Sequence, residues 1–369
     1  MRRWRSFWVI AGIWLLFCCS QAMAVEINDK ISIDGVLAGA YQHQSLSDAP
    51  GYEDSGRGGL AFQPSINMKL TDIDEVHAKF GFGAGNGLAD GTSPFNLNPW
   101  AVDLESSVKG INGRDRDYLL TANYLHKLDL DTIGQLSLTG GLIDATLYLD
   151  QNVYANCAYN QFLNAALVNG PNVFLPSYDL GAAAEWSKEQ FSAALVVMNV
   201  GQNDNGENFN FFGAQFGYTL ETGLGEGHYR LNVNKTTDDF DGPNGTTKKS
   251  KIGVLASCDQ ELNDIFGVWV RLGWQDDAAL INYKNLISGG LNIKGSPWAR
   301  QMDNIGIGYA FLDDGNNTID STNVLEVYYR WALNEFSAVT LDFQYMEDKY
   351  LNSYSPKGLI SGLRFTAAF

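Results

Sequence analysis

From Ile31 to Phe369 the chain is built of runs in which apolar and polar side chains alternate with period 2. Ile31, Ile33, Gly35, Leu37, Gly39 and Tyr41 fall on one face, with Ser32 and Asp34 on the other. The pattern is clearest late in the chain. Phe266, Val268, Val270, Leu272 and Trp274 form one run, Leu325, Val327, Tyr329 and Trp331 another, and Val339, Leu341, Phe343 and Tyr345 a third. The final run is Leu363, Phe365, Ala367 and Phe369. Successive side chains of a strand point to opposite faces, so each run predicts a strand with one apolar face. Sixteen such strands are predicted, and short turns such as Leu333-Asn334-Glu335 alternate with longer polar loops such as Asp313 to Ser321. Aromatic residues gather near strand ends (Tyr41, Trp186, Trp274, Tyr309, Trp331, Tyr345), and several opposite faces are polar enough to need water. These features together predict an all-β fold, a transmembrane antiparallel β-barrel of about sixteen strands, and argue against a soluble β-sandwich.

One stretch departs from the pattern. Leu136 to Pro171 begins as a strand, with Leu136, Leu138, Gly140 and Leu142 on one face. It then loses period 2, turns polar and aromatic, and ends in a helix-like run from Gln161 to Val168 with Phe162, Ala165 and Ala166 on one side. A segment of this kind between wall strands predicts a loop with a short helix, around residues 144–170, folded into the lumen. Gly85 to Arg114 reads as a long polar, glycine-rich connection.

The first residues change the address. Arg2, Arg3 and Arg5 precede an apolar run from Phe7 to Cys19 and then Ala22-Met23-Ala24, the three regions of a secretory signal peptide over residues 1–24. The domain expected after it is a single barrel over residues 25–369. Removing 1–24 takes away three arginines and no acid, leaving 22 Lys and Arg against 42 Asp and Glu, a formal charge of −20. Such a surface repels nucleic acid, so no nucleic-acid partner is expected. Cys157 and Cys258 remain, and an oxidising compartment permits either a disulfide or two separate thiols. Phe369 closes the chain within an alternating strand, which resembles the signal by which assembly machinery recognises outer-membrane barrels.

Catalytic chemistry finds no support. His43, His77, His126 and His228 are isolated, no Ser-His pairing or G-x-S-x-G motif stands out, and Cys and His show no metal-ligand spacing. No enzyme, metal or cofactor is expected. A pore needs a constriction where contacts partly replace hydration yet release the solute. Alternation turns Trp269, Arg271 and Gln275 away from the apolar face, and likewise Glu326 with Arg330 and Asp342 with Gln344. The central stretch adds Asp144, Asp150, Gln151, Asn152 and Tyr154, and Arg114-Asp115-Arg116-Asp117 offers a rim of both signs. The expected substrate-binding or constriction set is therefore Arg271, Arg330, Glu326, Asp342, Trp269, Gln344, Asp144, Asp150, Asn152 and Arg116.

Residues 140–169, GGLIDATLYLDQNVYANCAYNQFLNAALVN, resemble the corresponding region of the carbohydrate-selective porins of the OprB family. So do DQELNDIFGVWVRLGWQD (259–276), GGLNIKGSPWARQMDNIGIGYAF (289–311) and LEVYYRWALNEFSAVTLDFQYM (325–346). The resemblance covers most of residues 115–369 and weakens before them. It implies a sixteen-stranded outer-membrane porin, usually a homotrimer in contact with lipid, admitting small sugars by passive diffusion. A general or cation-preferring diffusion porin is the alternative, followed by a plugged structural barrel and a secreted lectin.

Overall fold

A computed structural model describes residues 24–89, 91–203 and 205–369. The expected signal peptide lies, apart from Ala24, outside the described residues. Sixteen antiparallel strands close into one barrel. In chain order they are β1 (Ile31–Ser47), β2 (Ser55–Lys69), β3 (Asp74–Phe80, continued by Phe82–Ala84), β4 (Leu119–Asp129), β5 (Gln135–Ile143) and β6 (Asp179–Lys188). Next come β7 (Phe191–Val200), β8 (Phe209–Glu221), β9 (Glu226–Thr236), β10 (Ile252–Glu261) and β11 (Phe266–Gln275). The wall ends with β12 (Tyr283–Lys294), β13 (Asn304–Asp314), β14 (Ile319–Ala332), β15 (Ser337–Tyr350) and β16 (Lys357–Ala368). β16 pairs with β1, from Ala368 opposite Val36 to Lys357 opposite Ser47. Closure leaves no edge of unpaired N–H and C=O groups, the condition for a sheet to lie in hydrocarbon.

Alternation sets which face each side chain takes. Leu325, Phe343 and Leu363 are exposed on the outer wall, whereas their inward neighbours Glu326, Asp342 and Arg364 have no exposed surface. The expected girdle residues Tyr41, Trp274, Tyr309, Trp331 and Tyr345 also face outward. Short turns are pinned by their own side chains. Asn334 Oδ1 accepts from the N–H groups of Phe336 (2.9 Å) and Ser337 (2.8 Å), and Asn263 Oδ1 does the same for Ile265 and Phe266, both at 2.9 Å. These turns lie at one end of the barrel, which is also where Val25 and Phe369 lie. Phe369 joins the seam itself, exchanging backbone hydrogen bonds with Gly35 at 3.0 and 3.1 Å.

At the long-loop end, two connections fold inward. Residues 144–178 do so, taking in the expected 144–170 and eight residues more, but the helix is only Ala165–Val168. Asn164 starts it by accepting from the Ala166 N–H at 2.9 Å, while Gln161 is used in a preceding turn, bonded to the Asn156 and Cys157 N–H groups and the Val153 carbonyl. The second inward loop is residues 85–118, which corrects the reading of Gly85–Arg114 as a polar connection. Leu88, Phe95, Leu97, Trp100, Leu104, Val108 and Ile111 are all buried. Those apolar residues have no regular spacing, so no periodicity announces them. The two loops clasp each other: Ala101 N–H donates to the Leu163 carbonyl (2.8 Å), Ala165 N–H to Asn98 (3.0 Å), and Trp100 Nε1 to Ala158 (3.1 Å). Cys258 is a free thiol on the outward face of β10, between inward Ser257 and Asp259, while Cys157 is buried in the lumen. The wall separates them, and they are not joined.

Candidate functional site

Most of the inward residues expected at a constriction hold the loops to the wall. Arg271, on β11, has no exposed surface. Its Nε donates to Asp150 Oδ1 at 2.6 Å and its terminal nitrogens reach the carbonyls of Leu167 and Asp150 at 3.4 Å. Glu326, on β14, accepts the Leu163 N–H (2.6 Å) and the Asn164 N–H (2.9 Å). Gln344, on β15, donates to the Pro99 carbonyl (2.9 Å), accepts from Asn164 Nδ2 (2.9 Å), and bonds Asp342 beside it. Asn152 is held by Ser257 Oγ and the Cys258 carbonyl at 3.2 and 3.4 Å. Trp269 packs on Phe162 with ring centroids 5.6 Å apart, and Tyr328 meets the same ring edge-on at 5.1 Å. These side chains are buried, and Arg271, Glu326, Trp269, Asp150, Asn152 and Gln344 spend their contacts holding loop to wall, while Asp342, with no exposed surface, bonds Gln344 on its own strand. Arg116 bonds the Tyr178 carbonyl and so ties one loop to the other, and Arg330 reaches the Met302 carbonyl (3.1 Å) at the short-turn end. Arg364 belongs with the anchors, donating to the Ala158 carbonyl at 2.8 Å. The same alternation, with Leu363 and Phe365 outward, would have found it.

Apolar clusters fill the lumen against β11–β15, around Phe162, Trp269, Tyr328, Leu312 and Met346, and against β5–β8, around Ile143, Leu149, Met198 and Phe211. A third cluster packs Trp100, Leu104 and Leu163 on Val36, Ala38, Ala40 and Ala61 of β1 and β2, and beside it, among the described residues, a space lies open against β1–β5. It is a cavity of about 310 Å3 bounded by Asp34, Gln63, Ser65, Asn67, His77, Lys79, Thr121, Asn123 and Thr139 of the wall. Asp103, Asp144, Tyr148, Tyr159, Ser177 and Tyr178 face it from the two loops. Of the residues expected from sequence, only Asp144 borders this space. It runs toward the short-turn end, where Asn67, His77 and Asn123 stand side by side on β2, β3 and β4. At its other limit loop meets wall, with Asp103 Oδ2 accepting from Tyr178 Oη (2.6 Å) and Gln63 Nε2 (3.3 Å). A separate basin at the long-loop end, about 360 Å3, is lined by Asn96, Asn172, Asn282, Asn317, Phe240 and Tyr283.

The cavity lining mixes apolar side chains with polar groups and charges of both signs. Asp144 Oδ1 caps the turn that follows β5, accepting from the Thr146 N–H (3.0 Å), Thr146 Oγ1 (2.7 Å) and Ser177 Oγ (3.0 Å). Burial pushes its carboxyl above the usual range against the pull of those Thr146 bonds and of Lys79. Burial likewise raises Asp103, opposed by the Tyr178 hydroxyl, reinforced by the charge of Asp144 and opposed again by Lys79. The phenols of Tyr159 and Tyr178 are pushed well up by burial and then by the Asp103 charge, so both stay protonated. Asp34 Oδ2 accepts from Asn67 Nδ2 at 2.6 Å, and Asn67 Oδ1 meets His77 Nδ1 at 2.8 Å. The hydroxyls, amides and carboxylates among the cavity's lining residues match the donor and acceptor needs of a polyhydroxylated solute. Asp103 and Tyr159 lie in loops without period, and no pattern in the chain pointed to them. Among the described residues no group of three His, Cys, Asp or Glu gathers to hold a metal.

Comparison with known proteins agrees with this geometry. A family model described as carbohydrate-selective porin, OprB family, matches residues 101–369. An uncharacterized protein of Aquifex aeolicus (strain VF5) is 29% identical over 302 residues, covering 78% of this chain and 82% of the relative. Among solved structures, the high-pH form of Pseudomonas putida OprB superposes with a TM-score of 0.69 at 15% identity, over 92% of this chain and 94% of that one. The outer membrane channel DcaP of Acinetobacter baumannii gives 0.58 at 10% identity, over 95% and 99%. At such identities the structural likeness speaks for the fold.

Proposed function

From the premise that this chain belongs to the carbohydrate-selective porin family, OprB, and is an outer-membrane β-barrel, we propose that it passes small carbohydrates by passive diffusion along the cavity against β1–β5. The observation that carries the reading is that cavity. Two inward loops pack against the rest of the wall and leave, among the described residues, a cavity beside β1–β5 lined by Gln63, Asn67, Lys79, Asp103, Asp144 and Tyr159. In this orientation the short turns face the periplasm and the long loops the exterior. Sugar hydroxyls exchange water for side-chain partners, and because both states are hydrogen-bonded the net gain is small, as throughput requires. No step of covalent chemistry enters. The same reading gives the chain sugars and outer-membrane lipid as partners, a homotrimeric assembly, and recognition by the barrel-assembly machinery through the strand that ends at Phe369.

Planar bilayers holding the protein test this. Single-channel current should fall as mono- or disaccharide is added, with half-block at roughly millimolar concentration or above, the range of a weak site. Channels that conduct but ignore every sugar would mark a general diffusion porin. Absence of any conductance would sink the pore itself.

A further inference from the structure

We propose that the cavity sorts sugars by charge, admitting those that carry an ammonium group faster than neutral sugars, and neutral sugars faster than carboxylate-bearing sugars of the same size. This rests on the reading of the cavity as a sugar path and adds the substrate class. Three carboxylates line the space, Asp34, Asp103 and Asp144, against one ammonium, Lys79, whose side chain makes no hydrogen bond or ion pair among the described residues. Asp34 is engaged with Asn67, but the other two keep an oxygen in reserve. Among the described residues, the bonds to Asp144 fall on Oδ1 and those to Asp103 on Oδ2. An independent sign of a missing partner is Tyr159. It is only 7% exposed, borders the cavity, and its hydroxyl has no hydrogen-bond partner among the described residues.

That set of unmet groups has a definite complement. A phenol hydroxyl offers one donor and accepts as well, which suits a sugar hydroxyl. Two carboxylate oxygens without donors suit an ammonium, which brings three and makes the stronger charge-assisted bonds. An anionic sugar meets two like charges within a cavity walled by protein on several sides, so repulsion is less screened than in bulk. Lys79 moderates the preference without reversing it, since it stands alone against three acids. The cavity falls within the size range of small-molecule sites.

Flux into liposomes containing the full protein tests the idea with glucosamine, glucose and glucuronate at neutral pH. Glucosamine should enter faster than glucuronate by roughly three- to tenfold, with glucose between them. Asp103→Asn and Asp144→Asn should each draw the ratio toward one. Lys79→Met should widen it, and because Lys79 makes no hydrogen bond or ion pair among the described residues this variant keeps the test open if an Asn variant fails to assemble. Equal rates for all three solutes, a faster anion, or a ratio unmoved in Lys79→Met would overturn charge sorting and leave sugar passage standing. Exclusion of all three sugars by channels that conduct ions would overturn both.

Discussion

Arg271 and Asp150 meet at 2.6 Å with no exposed surface on either side chain. A buried pair of this kind adds little relative to an apolar pair of the same shape, yet losing one partner strands the other charge. Arg271→Met should therefore destabilise the protein by about 3–5 kcal/mol, and Arg271→Met combined with Asp150→Asn should recover most of it. Urea midpoints in detergent would measure both, and equal losses in the single and double variants would contradict the assignment. Alternation was enough to turn Arg271 inward, because Val270 and Leu272 had to face lipid. It carried no information about Asp150, which lies 121 residues away in a segment without period. The direction of a wall side chain is a local property of a strand, whereas its partner is set by how a distant loop folds.

The two inward loops lie close to the wall where the wall has no side chain. A Cβ at Gly308 would come within 2.7 Å of Phe162 Cε1, and one at Gly267 within 2.2 Å of Tyr154 Cζ. Gly308→Val should unseat Phe162 from between Trp269 and Tyr328, at about 1–3 kcal/mol for overpacking. Its thermal transition in detergent should fall while far-UV circular dichroism below the transition keeps its strand signal. An unchanged transition would mean that Phe162 is not seated there. Of the two loops, 144–178 was legible because polar and aromatic residues interrupt an alternating wall. Residues 85–118 were not, since Trp100, Leu104 and Ile111 are scattered among Gly, Asn and Ser, a composition that also suits a solvated connection. The open cavity was missed for a related reason. It is defined by what the loops leave unfilled, and no run of residues encodes a gap.

At the scale of the whole barrel, sixteen strands would enclose a wide lumen, and the loops fill much of it, with a cavity left beside β1–β5 among the described residues. Single-channel conductance should accordingly sit well below that of an unobstructed sixteen-stranded barrel. The charge on the path depends on pH. Burial raises the Asp103 and Asp144 carboxyls, so both take up protons at a pH above the ordinary Asp value of about 3.9. Asp34, His77, Lys79, Tyr148, Tyr159 and Tyr178 face them across the cavity. As pH falls through those raised values the carboxylates become neutral, and any preference for cations should fade while the outer charges are still ionised. Reversal potentials across a salt gradient, taken at successively lower pH, would show the change. A potential constant down to the ordinary carboxylate range would rule it out.

The anchoring of the loops also imposes an order in time. Asp150, Ala158 and Tyr159 belong to the first half of the chain, but Arg271, Arg364 and Thr366, which hold them, come 121, 206 and 207 residues later. Contacts of such high sequence separation form slowly, because the intervening chain must be ordered first. Until β11 to β16 are in place, Phe162 and Leu167 have no wall to cover them, and an intermediate in that state presents apolar surface to its neighbours. The half-made barrel is thus the vulnerable species of this protein, and the closing strands end its exposure as they complete the wall.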